Sequence, residues 1–269
     1  MKLSICTIQR DRSRWLAEWI GFHYVVGFRK FFIYLHKCTD GSTDTVLALQ
    51  KLFDIECFTI PDDTPRPQLA SYQHAYNTFG HTSDWMAFID GDEFLFPTND
   101  DSLEKVLNQF QYQPISALGV WWSCFGSSAH IKEPEGLVID NYKQRASFDF
   151  EANRHIKSIV RGHQGSHFSV GQNAHIFNTI YGTFDENFRP ITSGFMPDLE
   201  PTYSKLRINH YVCQSYEYFK QFKQLSGAAD AGPLAVRSDE WWTKHDRNDV
   251  LDSAILRFRP QLIEVLKGI

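Results

Sequence analysis

No apolar run in the 269-residue sequence is long enough to span a bilayer, and the opening Met1-Lys2-Leu3-Ser4-Ile5-Cys6-Thr7-Ile8 turns polar at Gln9-Arg10-Asp11 before a signal-peptide core could form. The expectation is a cytoplasmic protein without a transmembrane segment, with peripheral membrane association left open. Cysteine is sparse: Cys6, Cys38, Cys57, Cys124 and Cys213 are odd in number, widely spaced and mostly set in strand-like apolar runs. That spacing argues against a disulfide framework and fits reduced core thiols. A basic surplus is missing too, because 27 Lys and Arg stand against 32 Asp and Glu for a net charge of -5, so no nucleic-acid partner is expected. There is no internal repeat, low-complexity tract or heptad pattern, and the 11 histidines show no zinc-site spacing.

Aromatic residues are abundant at 15%, including 22 Phe and 7 Trp. Core packing accounts for most of them, and stacking on flat or sugar-like ligands is a further use. The length suffices for one large α/β domain with an elaboration, or for two small domains.

The densest chemical signal is Trp85-Met86-Ala87-Phe88-Ile89-Asp90-Gly91-Asp92-Glu93-Phe94-Leu95-Phe96-Pro97. Its first half reads as a buried strand, and it runs into three carboxylates within four residues. Acids so placed repel one another unless a cation, hydrogen bonds or water offset their charge. Gly91 lets the backbone bend and approach a ligand, so that Asp90 and Asp92 can face one ion, and Pro97 closes the segment. Hard oxygen ligands suit magnesium or manganese, which keep positions open for diphosphate oxygens. The bland alternative is a solvated acidic turn.

Around this stretch the pattern alternates. Leu3 to Ile8 reads as a strand, and Trp15, Leu16, Trp19, Ile20 and His23 recur at helical spacing up to Gly27. A strand at Phe31 to Leu35, a helix near 44–52, a strand at Ile55 to Ile60, a proline-rich loop and a helix at Gln68 to Phe79 follow. Such alternation predicts a mostly parallel sheet with ligands beyond the carboxyl ends of its strands, where Arg10, Asp40 and the acids fall. Further on, the pattern predicts a short helix near 102–110 and strands at Ala117 to Cys124, 155–160, 174–177 and Leu206 to Val212. A helix near 216–225 capped by Ser215 is broken over the Gly/Ala-rich 226–233, and a last helix over about 248–266 is interrupted by Pro260.

Several groups of residues, in order, resemble glycosyltransferase family 92 and its bacterial relatives among the family 2 enzymes. They are Glu18-Trp19 with His23 and Gly27, Ser42-Thr43-Asp44, Gln73 with Tyr76, Trp85 through Phe94, and Phe125-Gly126-Ser127-Ser128 with His130. Lys157-Ser158-Ile159-Val160, Asn209-His210-Tyr211 with Ser215, and Asp246-Arg247-Asn248 with Asp252 complete the set. The resemblance covers nearly the whole chain. It departs at Arg12, where the family often has an acid, and at Ala129, where it often has a glycine.

The resemblance implies an α/β GT-A fold: a mixed, mostly parallel sheet flanked by helices, with a C-terminal helical extension. The division it suggests is a catalytic domain over 1–214, split into a nucleotide-sugar half (1–97) and an acceptor half (98–214), with helices over 215–269 packed on it. It also implies a metal-dependent transferase that moves a sugar from a nucleotide-diphosphate donor, a UDP-sugar ahead of a GDP- or CMP-sugar, to a saccharide acceptor with inversion, in polysaccharide or glycan synthesis. The cofactor is a divalent cation, manganese ahead of magnesium. Asp92 is the direct ligand, Asp90 holds metal or ribose, and His210 is the candidate third ligand, with a locally satisfied strand histidine as its alternative.

Arg10, Asp40 and Gln73 are candidate nucleoside contacts, with turn capping the alternative for Asp40. Lys157 either neutralises diphosphate or faces water at a strand edge. Trp121 and Trp122 are candidate acceptor platforms. For the base that deprotonates the acceptor the chain offers Glu93, Glu133, Asp149, Glu151, Asp185 and Glu186, and spacing selects none; Glu93 and Glu151 join Asp92 as the catalytic candidates. Two other classes stay open: a different metal enzyme performing phosphoryl transfer or hydrolysis, and a silent relative that binds saccharide or a partner protein.

Overall fold

The computed structural model describes residues 1–163, 167–226, 230 and 236–269. The expected break over 226–233 falls, apart from Ser226 and Asp230, outside these residues.

The first half alternates as expected: β1 (Leu3–Gln9), α1 (Ser13–Val26), β2 (Lys30–His36), α2 (Ser42–Leu49), β3 (Asp54–Ile60), α3 (Pro67–Phe79) and β4 (Trp85–Phe88). Gly27 ends α1 at φ 130°, where its N–H returns to the carbonyls of His23 and Tyr24. Pro67 opens α3 in its first turn, where no N–H is needed. Beyond the acids the chain does not simply close at Pro97. It turns back as a strand, β5 (Glu93–Pro97), followed by α4 (Leu103–Asn108) and β6 (Ala117–Cys124).

After α5 (Val138–Asn141) and β7 (Gln144–Arg145) comes β8 (Ile156–Arg161), the strand expected at 155–160. Short strands β9 (Ser169–Val170), β10 (Phe177–Asn178), β11 (Thr183–Phe184) and β12 (Pro190–Ile191) lead to β13 (Leu206–His210). Ser215 then caps a helical run as expected, its side chain accepting from Tyr218 N. The run is α6 (Tyr216–Tyr218), a π turn (Phe219–Lys223) and α7 (Gln224–Ser226).

The C-terminal part differs from the expected single helix. It forms α8 (Asp239–His245), capped by Ser238, then β14 (Val250–Leu251), a 3-10 turn (Ala254–Phe258) and α9 (Arg259–Leu266). Pro260 sits in the first turn of α9, so it starts that helix and interrupts nothing.

One sheet of ten strands runs in the order β12-β11-β6-β8-β4-β1-β2-β3, with β13 beside β6 and β5 beside β13. β3, β2, β1 and β4 are mutually parallel, while β8 lies antiparallel between β4 and β6. This is the α/β architecture expected of a GT-A domain, mixed and flanked by helices. β1 is buried along nearly its whole length, as a strand covered on both faces must be. Ile255, Phe258 and Leu262 join the same core as Leu3, Trp19 and Phe22. α9 meets α1 at Gly21, where a Cβ would come within 3.1 Å of Leu262. All five cysteines are free. Among the described residues no helix is long and apolar enough to cross a membrane.

Candidate active site

The acids sit where β1, β2 and β4 end. Asp90-Gly91-Asp92 turns the chain from β4 into β5, and β5 pairs antiparallel with β13 so that Glu93 lies opposite His210. Gly91 also leaves room for a neighbouring side chain. A Cβ there would stand 2.1 Å from Gln9 Oε1, and the Gln9 amide is itself fixed by donating to Thr7 Oγ1 at 2.8 Å. Arg12, where the chain departs from the resemblance, donates to the Gly91 carbonyl at 2.8 Å and to Gln214 Oε1 and Tyr218 OH at 2.7 Å each. It thereby ties the acidic turn to the start of the helical run at 216–226.

The two aspartates engage different cations. Asp90 Oδ2 lies 3.0 Å from Lys157 Nζ, while its Oδ1 accepts from Gln68 Nε2 at 2.5 Å and from Tyr72 OH at 3.4 Å. Asp92 Oδ2 contacts the Lys223 ammonium and lies 3.7 Å from His210 Nε2. Burial pushes both carboxyls up, but the lysine beside each more than offsets it. Asp90 is held below the ordinary carboxylate value and Asp92 well below it, His210 adding to the effect on Asp92.

Glu93 is fully buried; its Oε2 accepts from Asp90 N at 2.7 Å, and its Oε1 has no hydrogen-bond partner. Burial outweighs the pull of Lys157, so its carboxyl titrates well above the ordinary range. His210 is pushed below the usual imidazole value by burial, partly countered by Asp92, and its Nδ1 lacks a partner.

The donor set bears on a cation in two ways. Among the described residues no three His, Cys, Asp or Glu side chains gather where an ion could be held. Asp92 and His210 do face each other closely, and two protein ligands suffice for an ion that keeps waters and takes phosphate oxygens. That pair fits a divalent ion arriving with a diphosphate; Asp90, committed to Lys157, fits it less well.

The fold therefore brings Asp90, Asp92, Glu93, Lys157 and His210 together. Lys157 lies on the interior strand β8, not at an edge facing water. Asp40 takes the capping role, accepting from Ser13 N at 3.0 Å and Ser42 N at 2.8 Å. Arg10 is half exposed on the loop after β1, 3.9 Å from Asp11. Gln73 is not brought to the acids: it accepts from Val170 N at 2.9 Å and donates to Asn77 at 2.8 Å. Glu151 is exposed, 3.5 Å from Lys244.

Asp185 and Glu186 are buried pins. Asp185 pairs with Arg189, and Glu186 accepts from the backbone of Ser204, Lys205 and Leu206. Trp121 is core, while Trp122 is partly exposed and packs on His155, His175 and His210 at 4.9, 5.3 and 4.1 Å between ring centroids.

Sequence reasoning missed Gln68, Tyr72, Arg12 and Lys223. Gln68 and Tyr72 stand one helical turn apart on α3, a spacing that could have paired them. Lys223 reads as an ordinary polar position on an amphipathic helix, and nothing local marks it.

A family model described as glycosyltransferase family 92 matches residues 1–231. A glycosyltransferase family 92 protein of Oryza sativa subsp. japonica is 27% identical over 221 residues, covering 81% of this chain and 34% of that protein. One from Ricinus communis is 27% identical over 224 residues, covering 82% and 37%. The chain thus spans about a third of the length of these curated relatives. Among solved structures, S. aureus TarS 1-349 in complex with UDP is similar at a TM-score of 0.38 and 11% identity, over 60% of this chain and 47% of that one.

Proposed function

The chain belongs to glycosyltransferase family 92, and from that premise we propose that it transfers a sugar from a nucleotide-diphosphate donor, a UDP-sugar, to a saccharide acceptor with inversion. The observation that carries this reading is Asp92 facing His210 at the carboxyl ends of parallel strands, beside the Lys157–Asp90 pair. Departure of a nucleoside diphosphate builds negative charge on its β-phosphate, and a divalent ion held by Asp92 and His210, manganese ahead of magnesium, would stabilise that charge.

The chain's own groups do the rest. Lys157 fixes Asp90 and, being buried, places positive charge next to where the diphosphate arrives. Asp90, held by Gln68 and Tyr72, keeps an oriented carboxylate for a ribose hydroxyl. Glu93 holds the turn through Asp90 N. Of the candidate bases Asp149 and Glu151 are the exposed ones; Asp149 accepts from Ser147 Oγ, Glu151 has only a loose contact with Lys244, and we assign Glu151 the acceptor proton. The product belongs to a polysaccharide or glycan. The free cysteines support a reducing, cytoplasmic setting.

Calorimetric titration with UDP and Mn²⁺ tests the reading. UDP binding should require the metal and vanish in Asp92→Ala; UDP binding that survives Asp92→Ala undiminished would overturn it.

A further inference from the structure

The acidic turn already carries its own counter-charges. Asp90 has the Lys157 ammonium and Asp92 has that of Lys223, so each aspartate is matched by one lysine. A bare divalent ion entering here would add uncompensated positive charge to a low-dielectric site, and would compete with an ammonium already on the same oxygen. An ion arriving with a diphosphate brings anionic oxygens that offset it and offer the displaced ammonium a new partner.

Lys223 is suited to such a move. Its side chain is 14% exposed, withdrawn from bulk water yet reachable. It ends the π turn Phe219–Lys223, a departure from regular helix geometry that recurs at functional sites. The far side of the run is tied down by two exposed polar contacts, Lys220 and Gln224 reaching Asp239 at 3.1 and 3.0 Å, and by a part-buried one, Arg237 donating to the Lys223 carbonyl at 3.0 Å. The exposed contacts contribute little stability and Arg237 holds only the Lys223 backbone, so the lysine side chain can shift while the Ser215 cap and the packing of Phe219 on Trp241 stay in place.

We propose that Lys223 is a diphosphate-binding residue held in reserve on Asp92: a divalent ion displaces its ammonium from the carboxylate, and the ammonium passes to an oxygen of the entering diphosphate. This rests on reading Asp92 as the cation ligand. It makes cation and nucleotide bind together and not one after the other.

The test uses Mn²⁺ alone, followed by electron paramagnetic resonance of the free ion, and then UDP at saturating Mn²⁺, followed by calorimetry. Both are run on the wild type, Lys223→Met and Lys223→Arg. Lys223→Met should bind Mn²⁺ by itself about tenfold more tightly than the wild type, while binding UDP with Mn²⁺ about tenfold more weakly; Lys223→Arg should move both values back toward the wild type. A merely structural lysine would not shift the two affinities in opposite directions. Equal Mn²⁺ affinity in wild type and Lys223→Met overturns displacement while leaving the Asp92 cation site standing. Tighter Mn²⁺ with unchanged UDP affinity overturns transfer to the diphosphate. Absence of Mn²⁺ binding in all three proteins, even with UDP, overturns this proposal and the metal-dependent reading together.

Discussion

Lys157 Nζ lies 3.0 Å from Asp90 Oδ2 although the lysine side chain is only 1% exposed. A lysine so deeply withdrawn stays charged only because a carboxylate meets it. Burial pulls its pKa down, yet Asp90 and Glu93 together leave it above the ordinary value. Lys157→Met should therefore destabilise the protein by about 2–3 kcal/mol, less than a fully buried pair would because Asp90 is partly open to water. Lys157→Met/Asp90→Asn should recover part of that loss. Urea unfolding of both variants checks it, and a double variant no more stable than the single one would contradict the pairing.

His23 and Glu18, on one helix, give stability opposite dependences on pH. Buried His23 has Nδ1 against the Trp19 carbonyl at 2.8 Å and accepts from Leu95 N at 3.2 Å through Nε2, and burial lowers its pKa from 6.5 to about 3. Its folded value lies below its unfolded one, so the unfolded chain binds the proton first. That contribution is complete above pH 6.5 and is lost as the pH falls toward about 3.

Glu18 accepts from Val138 N and Ile139 N at 2.7 and 3.1 Å, and burial raises its pKa from 4.5 to about 7, outweighing those hydrogen bonds. Its contribution is present below 4.5 and is lost as the pH rises through about 7. Between pH 4.5 and 6.5 the two oppose each other. Thermal unfolding across that range should show a steeper loss toward acid in Glu18→Gln than in the wild type. In His23→Gln, which keeps a donor and an acceptor, the slope should reverse.

The elements up to β4 were legible because each carries its own local signal: period, cap or glycine stop. β5 was not, since Glu93-Phe94-Leu95-Phe96-Pro97 extends a continuous apolar segment and only long-range pairing with β13 separates it from β4. The last helix was placed too early for a related reason. Val250 lies in an apolar pattern with Ile255 and Phe258, but Val250–Leu251 pairs as a strand with Gln144–Arg145. At the site, Asp90 and Asp92 announced themselves by density, whereas Lys223 comes from an element 131 positions away in sequence and enters by packing alone. Gln73 was a candidate, whereas Gln68, on the same helix, is the one that reaches Asp90; which face meets the acids is decided by how α3 lies on the sheet.

Glu93 accepts from Asp90 N within the turn, and under the proposed function the acceptor proton goes to Glu151; two substitutions at Glu93 separate these roles. Glu93→Gln keeps an acceptor for Asp90 N at the same place in the turn, so UDP affinity should stay within about threefold of the wild type. Glu93→Ala orphans that part-buried N–H and should cost about 1 kcal/mol of stability, with weaker UDP binding. Calorimetry and urea unfolding of the pair decide it. Loss of sugar transfer in Glu93→Gln with UDP binding intact would instead mark Glu93 as the base.

Gly91 and Gln9 give a last prediction that isolates the shape of the turn from its charge. Gly91 does not sit at positive φ; what it lacks room for is a Cβ, because the Gln9 amide occupies that space at 2.1 Å and is buried and bonded to Thr7. Gly91→Ala should therefore push the turn out of place, separating Asp92 from His210 and weakening UDP binding in the presence of Mn²⁺ by about tenfold or more, with all the acids still present. Shortening the neighbour should relieve it: Gly91→Ala/Gln9→Ala should bind more tightly than Gly91→Ala alone, although Gln9→Ala by itself loses a buried hydrogen bond and gains nothing. Calorimetry on the three variants gives the coupling directly. Strict additivity of the two substitutions would mean that the glycine serves the backbone and not the amide beside it.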